Sequence, residues 1–202
     1  MKLYFAPGAC SLSPHISLLE AGQKFEAEKV DLGSKKTASG KDFNAISPNG
    51  YVPALQLDDG TVITEGPAIV QYIADQAPEK KLAPANGTLA RYKLQETLNF
   101  ISTELHKGYA PLFNPSYPED AKTIVRGNIA KRLAAVNETL SKHAFITGEQ
   151  FTVADGYLFT VLSWSGHVKV DLSKFSAIQE YQGRVAARPQ VQAALKAEGL
   201  VK

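Results

Sequence analysis

The chain has 202 residues, 44% of them apolar, which is enough for two small domains with sizeable cores. Its net charge is only +2, with both signs scattered, which speaks against a nucleic-acid partner because binding many phosphates needs a concentrated basic surface. A lone cysteine, Cys10, excludes an intrachain disulfide, and no stretch approaches the ~20 apolar residues of a membrane span.

The run Lys2 to Ala6 is short and apolar and stops at Pro7-Gly8, which predicts a strand entering a loop and leaves no room for a secretory apolar segment. The expected location is therefore cytoplasmic. Ser13 as N-cap, Pro14 in the first turn and Gly22 as the stop predict a helix. Phe25 to Leu32 is a weaker strand. Residues 33–50 are polar and rich in turn formers, with one short helix near Asp42. Ala54 to Leu57 and Val62 to Thr64 flank Asp58-Asp59-Gly60, a hairpin signal. Pro67 fits the first turn of a helix through Ile69, Val70, Tyr72 and Ile73. The order β-α-β, loop, β-β-α is a thioredoxin-like arrangement. We place it at 1–78, followed by a linker, 79–87, with Pro84 and Gly87.

Beyond Gly87 strand signals vanish, so 88–202 reads as an all-helical domain. Leu94, Leu98, Ile101 and Leu105 mark one helix face, and Val125, Ile129, Leu133, Val136 and Leu140 mark a second. Thr152 and Asp155 form a Thr-x-x-Asp capping pattern before Tyr157 to Leu162. Two further helices, from Ile178 to Ala187 and from Pro189 to Glu198, are separated at Pro189.

Cys10 lies between a Pro-Gly loop and a helix start. A helix N-terminus offers free N–H groups and a positive dipole end, which would lower the thiol pKa and favour a second thiolate close by. A lone cysteine can equally be a small buried apolar residue. Ser11 is either a hydroxyl donor or a cap. Val52-Pro53 precedes a strand. In a thioredoxin-like layout this bond is typically cis and exposes the preceding backbone, though a strand-start proline is the plainer reading. Glu65 and Gly66 open a helix, where a carboxylate can serve the dipole or receive a ligand's ammonium. Asn99, Thr103 and His106 share one polar face, solvated or closing over a site. A protonated His106 or Lys107 near Cys10 would stabilise a thiolate.

The segments KLYFAPGACSLSPHI, GYVPALQLDDGTVITEGPAIVQYIAD and LNFISTELHKG, with FTVADGYLFTVLSW and ARPQVQAALKAEGL, resemble the beta-class bacterial glutathione S-transferases along essentially the whole chain. The resemblance implies a thioredoxin-like N-terminal domain plus an all-α C-terminal domain, and a homodimer. It implies that Cys10 contacts the glutathione sulfur, supported by Ser11 and His106. Lys35 would meet the glycine carboxylate region. Val52, beside Pro53, would pair with the cysteinyl backbone, and Glu65 and Gly66 would hold the γ-glutamyl end. Asn99, Thr103, Glu104, Leu105 and His106 would form the helical wall. The variable stretch from Ala110 to Pro118 would line the side of a small hydrophobic electrophile. Glutathione is the implied co-substrate, and no metal is needed. Competing readings are a monothiol glutathione-dependent redox enzyme or dehalogenase, and a non-catalytic binder of hydrophobic ligands.

Overall fold

The structure, a computed structural model, describes residues 1–201. Strands β1 (Lys2–Phe5), β2 (Glu26–Asp31), β3 (Lys36–Thr37), β4 (Ala54–Gln56) and β5 (Val62–Thr64) form one sheet in the order β3-β2-β1-β4-β5. β1 runs parallel to β2, and every other pairing is antiparallel. The period of two in β1 splits its side chains. Leu3 and Phe5 face the main core, while Tyr4 packs with Val30, Phe43, Val52 and Ala54 on the other side. β3 departs from the expected loop. Two residues are too few for any periodicity to announce them. Near Asp42 the expected short helix is a 3₁₀ turn, Phe43–Ala45, capped by the Asp42 carboxylate accepting from Asn44 N–H at 2.9 Å.

Helix α1 (Leu12–Glu20) starts two residues earlier than expected, with Ser11 rather than Ser13 at the cap position. The Ser11 hydroxyl makes no capping bond, because it is engaged elsewhere. It accepts from Ala6 N–H at 3.1 Å and donates to Ala6 C=O at 3.2 Å, closing the loop of residues 6–11. Every residue of α1 from Leu12 to Leu18 is buried, because α1 lies between α2 (Gly66–Asp75) and the helical half. Gly156 permits the close approach: a Cβ there would meet Ile16 Cγ2 at 3.3 Å.

The helical half holds α3 (Leu89–Phe100), α4 (Lys107–Phe113), α5 (Glu119–Leu140), α6 (Val153–Ser163), α7 (Ser176–Ala186) and α8 (Pro189–Ala197). Leu94, Leu98, Ile101 and Leu105 are all buried, as their spacing predicts. The helix carrying them is not uniform, for Ile101–His106 is π-helical and joins α3 to α4. Helix α6 is buried on all sides from Val153 to Leu162. Its capping box forms: the Asp155 carboxylate accepts from Thr152 N–H at 2.8 Å and also from Ile146 N–H at 2.8 Å. One apolar cluster runs through both halves, from Leu3, Ile16 and Ile73 to Leu94, Tyr157 and Leu158. Among the described residues no helix is long and apolar enough to cross a membrane.

Candidate active site

Cys10 is half-buried at the start of α1, at the seam between sheet and helices. Its thiol donates to the Val52 carbonyl at 3.2 Å. The expectation of a depressed pKa fails: burial pushes the thiol up from 9.0 to about 11, aided by the nearby Glu65 carboxylate. The backbone N–H groups of Cys10 and Ser11 and the Lys107 ammonium pull the other way, and desolvation outweighs them. The helix end does pull the thiol pKa down, but by less than burial raises it. Ser11 is corrected as well. Its fully buried hydroxyl is engaged twice with Ala6, so what it offers the sulfur is its backbone N–H.

The Val52–Pro53 bond is cis, as expected. Lys35 reaches the same segment, donating to Gly50 C=O at 2.9 Å with its ammonium 5.9 Å from the Tyr51 ring centroid. Glu65 stands at the N-cap of α2 with φ +65°, in the left-handed region that costs a non-glycine residue ~1–3 kcal/mol. Its carboxylate is exposed and makes no capping hydrogen bond. The space where a Gly66 Cβ would project is open.

The helical wall is only partly as expected. His106 comes to the site and hydrogen bonds through Nδ1 to the Tyr157 hydroxyl at 2.6 Å. Its ring stacks edge-on against Trp164, centroids 5.1 Å apart. Burial holds its pKa down at about 4, with Lys107 adding to the effect, so it is a neutral ring near pH 7 and not the cation first envisaged. Asn99 and Thr103 are exposed, and the Thr103 hydroxyl donates to Asn99 C=O at 3.0 Å. Glu104 pairs with Arg132 of α5 at 2.6 Å, and Leu105 is wholly buried in the core. Leu105 therefore presents no side chain to a ligand. The π turn is the physical reason: its wider winding breaks the even angular spacing on which a shared face of Asn99, Thr103 and His106 depended.

The sequence reading gave no site role to Tyr157, Trp164, Gly8 or Glu198. Tyr157 and Trp164 lie in a segment read for its cap and its resemblance alone. Trp164 Nε1–H donates to Gly8 C=O at 2.8 Å, holding the loop before Cys10. Glu198, at the end of α8, accepts from Gly8 N–H at 2.9 Å and from His15 Nδ1 at 2.9 Å. Gly8 itself, at φ +70° with Leu200 3.4 Å from where a Cβ would sit, takes both braces. A carboxylate at a helix C-terminus opposes the dipole, and that is the signal by which Glu198 could have been found. Phe113, half-exposed at the end of α4, stacks on Trp164 at 5.8 Å and gives the site an apolar side.

Chemically, this is a thiol among two backbone N–H groups, an ammonium, a neutral imidazole and an unpartnered carboxylate. Such a set can hold a small zwitterionic thiol with its sulfur beside Cys10. Residues 8–76 match the model of the glutathione S-transferase N-terminal domain, and 100–189 that of the C-terminal domain. The glutathione S-transferase GstA of Escherichia coli O157:H7 is 50% identical over 200 residues, 99% of this chain and 100% of the relative. A bacterial beta-class glutathione S-transferase from Sphingomonas chungbukensis superposes with TM-score 0.96 at 49% identity, over the whole of both chains. A sphingomonad glutathione S-transferase complexed with glutathione does so with TM-score 0.96 at 48% identity, again over both whole chains.

Proposed function

The chain belongs to the glutathione S-transferase family, beside the bacterial beta-class enzymes, and we propose that it binds glutathione next to Cys10, holds its sulfur as a thiolate and transfers it to small hydrophobic electrophiles. The observation that carries the reading is Glu65. A carboxylate held in a costly backbone conformation, exposed, and free of the capping role that would explain it, suits a ligand ammonium. Gly66 leaves room for the ligand's carboxylate at the start of α2.

In this reading Val52 and Pro53 align the peptide backbone of glutathione, and Lys35 serves its glycine end. The protonated Cys10 thiol, the Cys10 and Ser11 N–H groups, His106 and Lys107 then surround the incoming sulfur as donors or positive charge. The thiolate displaces a leaving group from the electrophile, which rests against Trp164 and Phe113, and the new carbon–sulfur bond replaces the broken one. The exposed Asn99, Thr103 and Glu104 extend the wall. We place the division at 1–78, 79–87 and 88–202, the protein in the cytoplasm, and the assembly as a homodimer. The exposed Tyr51, Leu89 and Tyr92 suit an interface with a second copy. A monomer mass by light scattering at micromolar concentration would count against the dimer.

We propose a slow secondary thiol-transfer activity at the sole cysteine, limited by the scarcity of its thiolate. Cys10 attacks the glutathione sulfur of a mixed disulfide, releasing the substrate thiol and becoming glutathionylated. A second glutathione then regenerates Cys10 and leaves as glutathione disulfide. The test of the main reading is calorimetry on Glu65→Ala. Glutathione affinity falls about ten- to a hundredfold while the thermal transition stays put. Unchanged affinity would reduce Glu65 to a partner for the helix dipole.

A further inference from the structure

Tyr157, on the buried helix α6, has no role in the reading so far. The residue is 2% exposed, and its hydroxyl hydrogen bonds to His106 Nδ1. The length of that bond, 2.6 Å, is below the ~2.7–3.2 Å usual when a nitrogen donates to oxygen and suits a hydroxyl donor. Ser102 is within hydrogen-bonding reach of the phenol oxygen and can donate to it while the phenol proton goes to Nδ1. Burial raises the phenol pKa well above 10, so the proton stays on the tyrosine rather than passing to the ring.

We propose that Tyr157 is a positioning residue for the transfer reaction: its hydroxyl donates to Nδ1 of His106, which fixes the ring proton on Nε2 and leaves that N–H free as a neutral donor for a sulfur beside Cys10. The ring cannot turn away easily, because Trp164 stacks on it and is itself tied to the Gly8 carbonyl. Tyr157 sits close enough to Cys10 and Glu65 for both to act on its titration. Lys107, next along the chain, supplies the positive charge, so the site gains a directed hydrogen bond from His106 without a second cation.

The catalytic part of this inference rests on the glutathione reading, whereas the tautomer does not. Long-range proton–nitrogen correlation spectra of the ¹⁵N-labelled protein decide it, with His106 assigned by its absence in His106→Asn. The wild type should show a protonated Nε2 and a bare Nδ1 from pH 5.5 to 8. In Tyr157→Phe the signals should move toward a mixture of tautomers. Its kcat for an aryl halide should fall about three- to tenfold, with KM for glutathione within twofold. A protonated Nδ1 in the wild type, or an unmoved tautomer in Tyr157→Phe, overturns the proposal. A moved tautomer with unchanged kcat overturns its catalytic part. If Tyr157→Phe does not fold, the wild-type spectrum still decides the proton's place. A wild type that binds no glutathione would defeat the transferase reading and leave the spectral answer standing.

Discussion

The state of Cys10 offers the sharpest test, because two opposing effects meet at one sulfur. Burial takes the thiol from 9.0 to about 11 against the pull of two backbone N–H groups and Lys107. Thiolate is then about a hundredfold scarcer than for an ordinary cysteine at any pH below 9, since each tenfold step in acidity is one pH unit. Cys10 is the only cysteine, so alkylation of the whole protein by iodoacetamide, followed by mass, reports on this one atom. The rate constant should lie about a hundredfold below that of a free thiol at pH 7.5 and should climb without inflection to pH 10. An inflection between pH 6 and 8, with a fast plateau above it, would refute the burial argument. The folded pKa exceeds the unfolded one, so the linked stability is complete below pH 9 and is lost as pH rises through about 11.

The same reasoning assigns Cys10 a donor's role in conjugation. Its S–H already donates to Val52 C=O, and a bound thiolate offers a stronger acceptor. Cys10→Ala should therefore lower aryl halide conjugation, and Cys10→Ser should recover part of it, because a hydroxyl donates the same bond. Thiol transfer should vanish in both variants. Full conjugation in Cys10→Ala would show that the donor is dispensable.

Asp155→Ala should leave glutathione affinity unchanged and lower Tm by roughly 5–10 °C, since it removes a cap and orphans the Ile146 and Thr152 N–H groups, together about 2–4 kcal/mol. Calorimetric melting checks this, and a stable variant with weak glutathione binding would contradict it. Ser13→Ala should do the opposite. The Ser13 hydroxyl is buried with no partner, and its removal should raise Tm by about 2–4 °C, with a drop arguing for a hidden partner.

Most of the architecture was legible because it is written in local signals. The spacing of Leu94, Leu98, Ile101 and Leu105 stated which face is buried, Asp59-Gly60 announced the hairpin, and Thr152 with Asp155 announced a cap that forms. The site was legible in its residues and less so in its physics. The sign of the Cys10 shift depends on how much chain covers it, and α6 and the C-terminus lie about 150 to 190 positions away. Nothing local separates a serine that caps from one that folds back on Ala6. The π turn over Ile101–His106 likewise has no signature in apolar spacing, which α and π winding share closely enough to satisfy the same four residues.

Gly8 is held from below by Trp164 and Glu198, and the second of these is separated from it by 190 positions. The loop that carries Cys10 is thus made 190 positions before one of the residues that holds it. At ~5–20 residues per second the amino end waits roughly 10–40 s for its brace. Until then the loop before Cys10 lacks one of its two long-range braces. A chain broken off a few residues short of Glu198 would keep every residue of the proposed glutathione site and the Trp164 brace, yet lose the carboxylate that holds the Gly8 N–H.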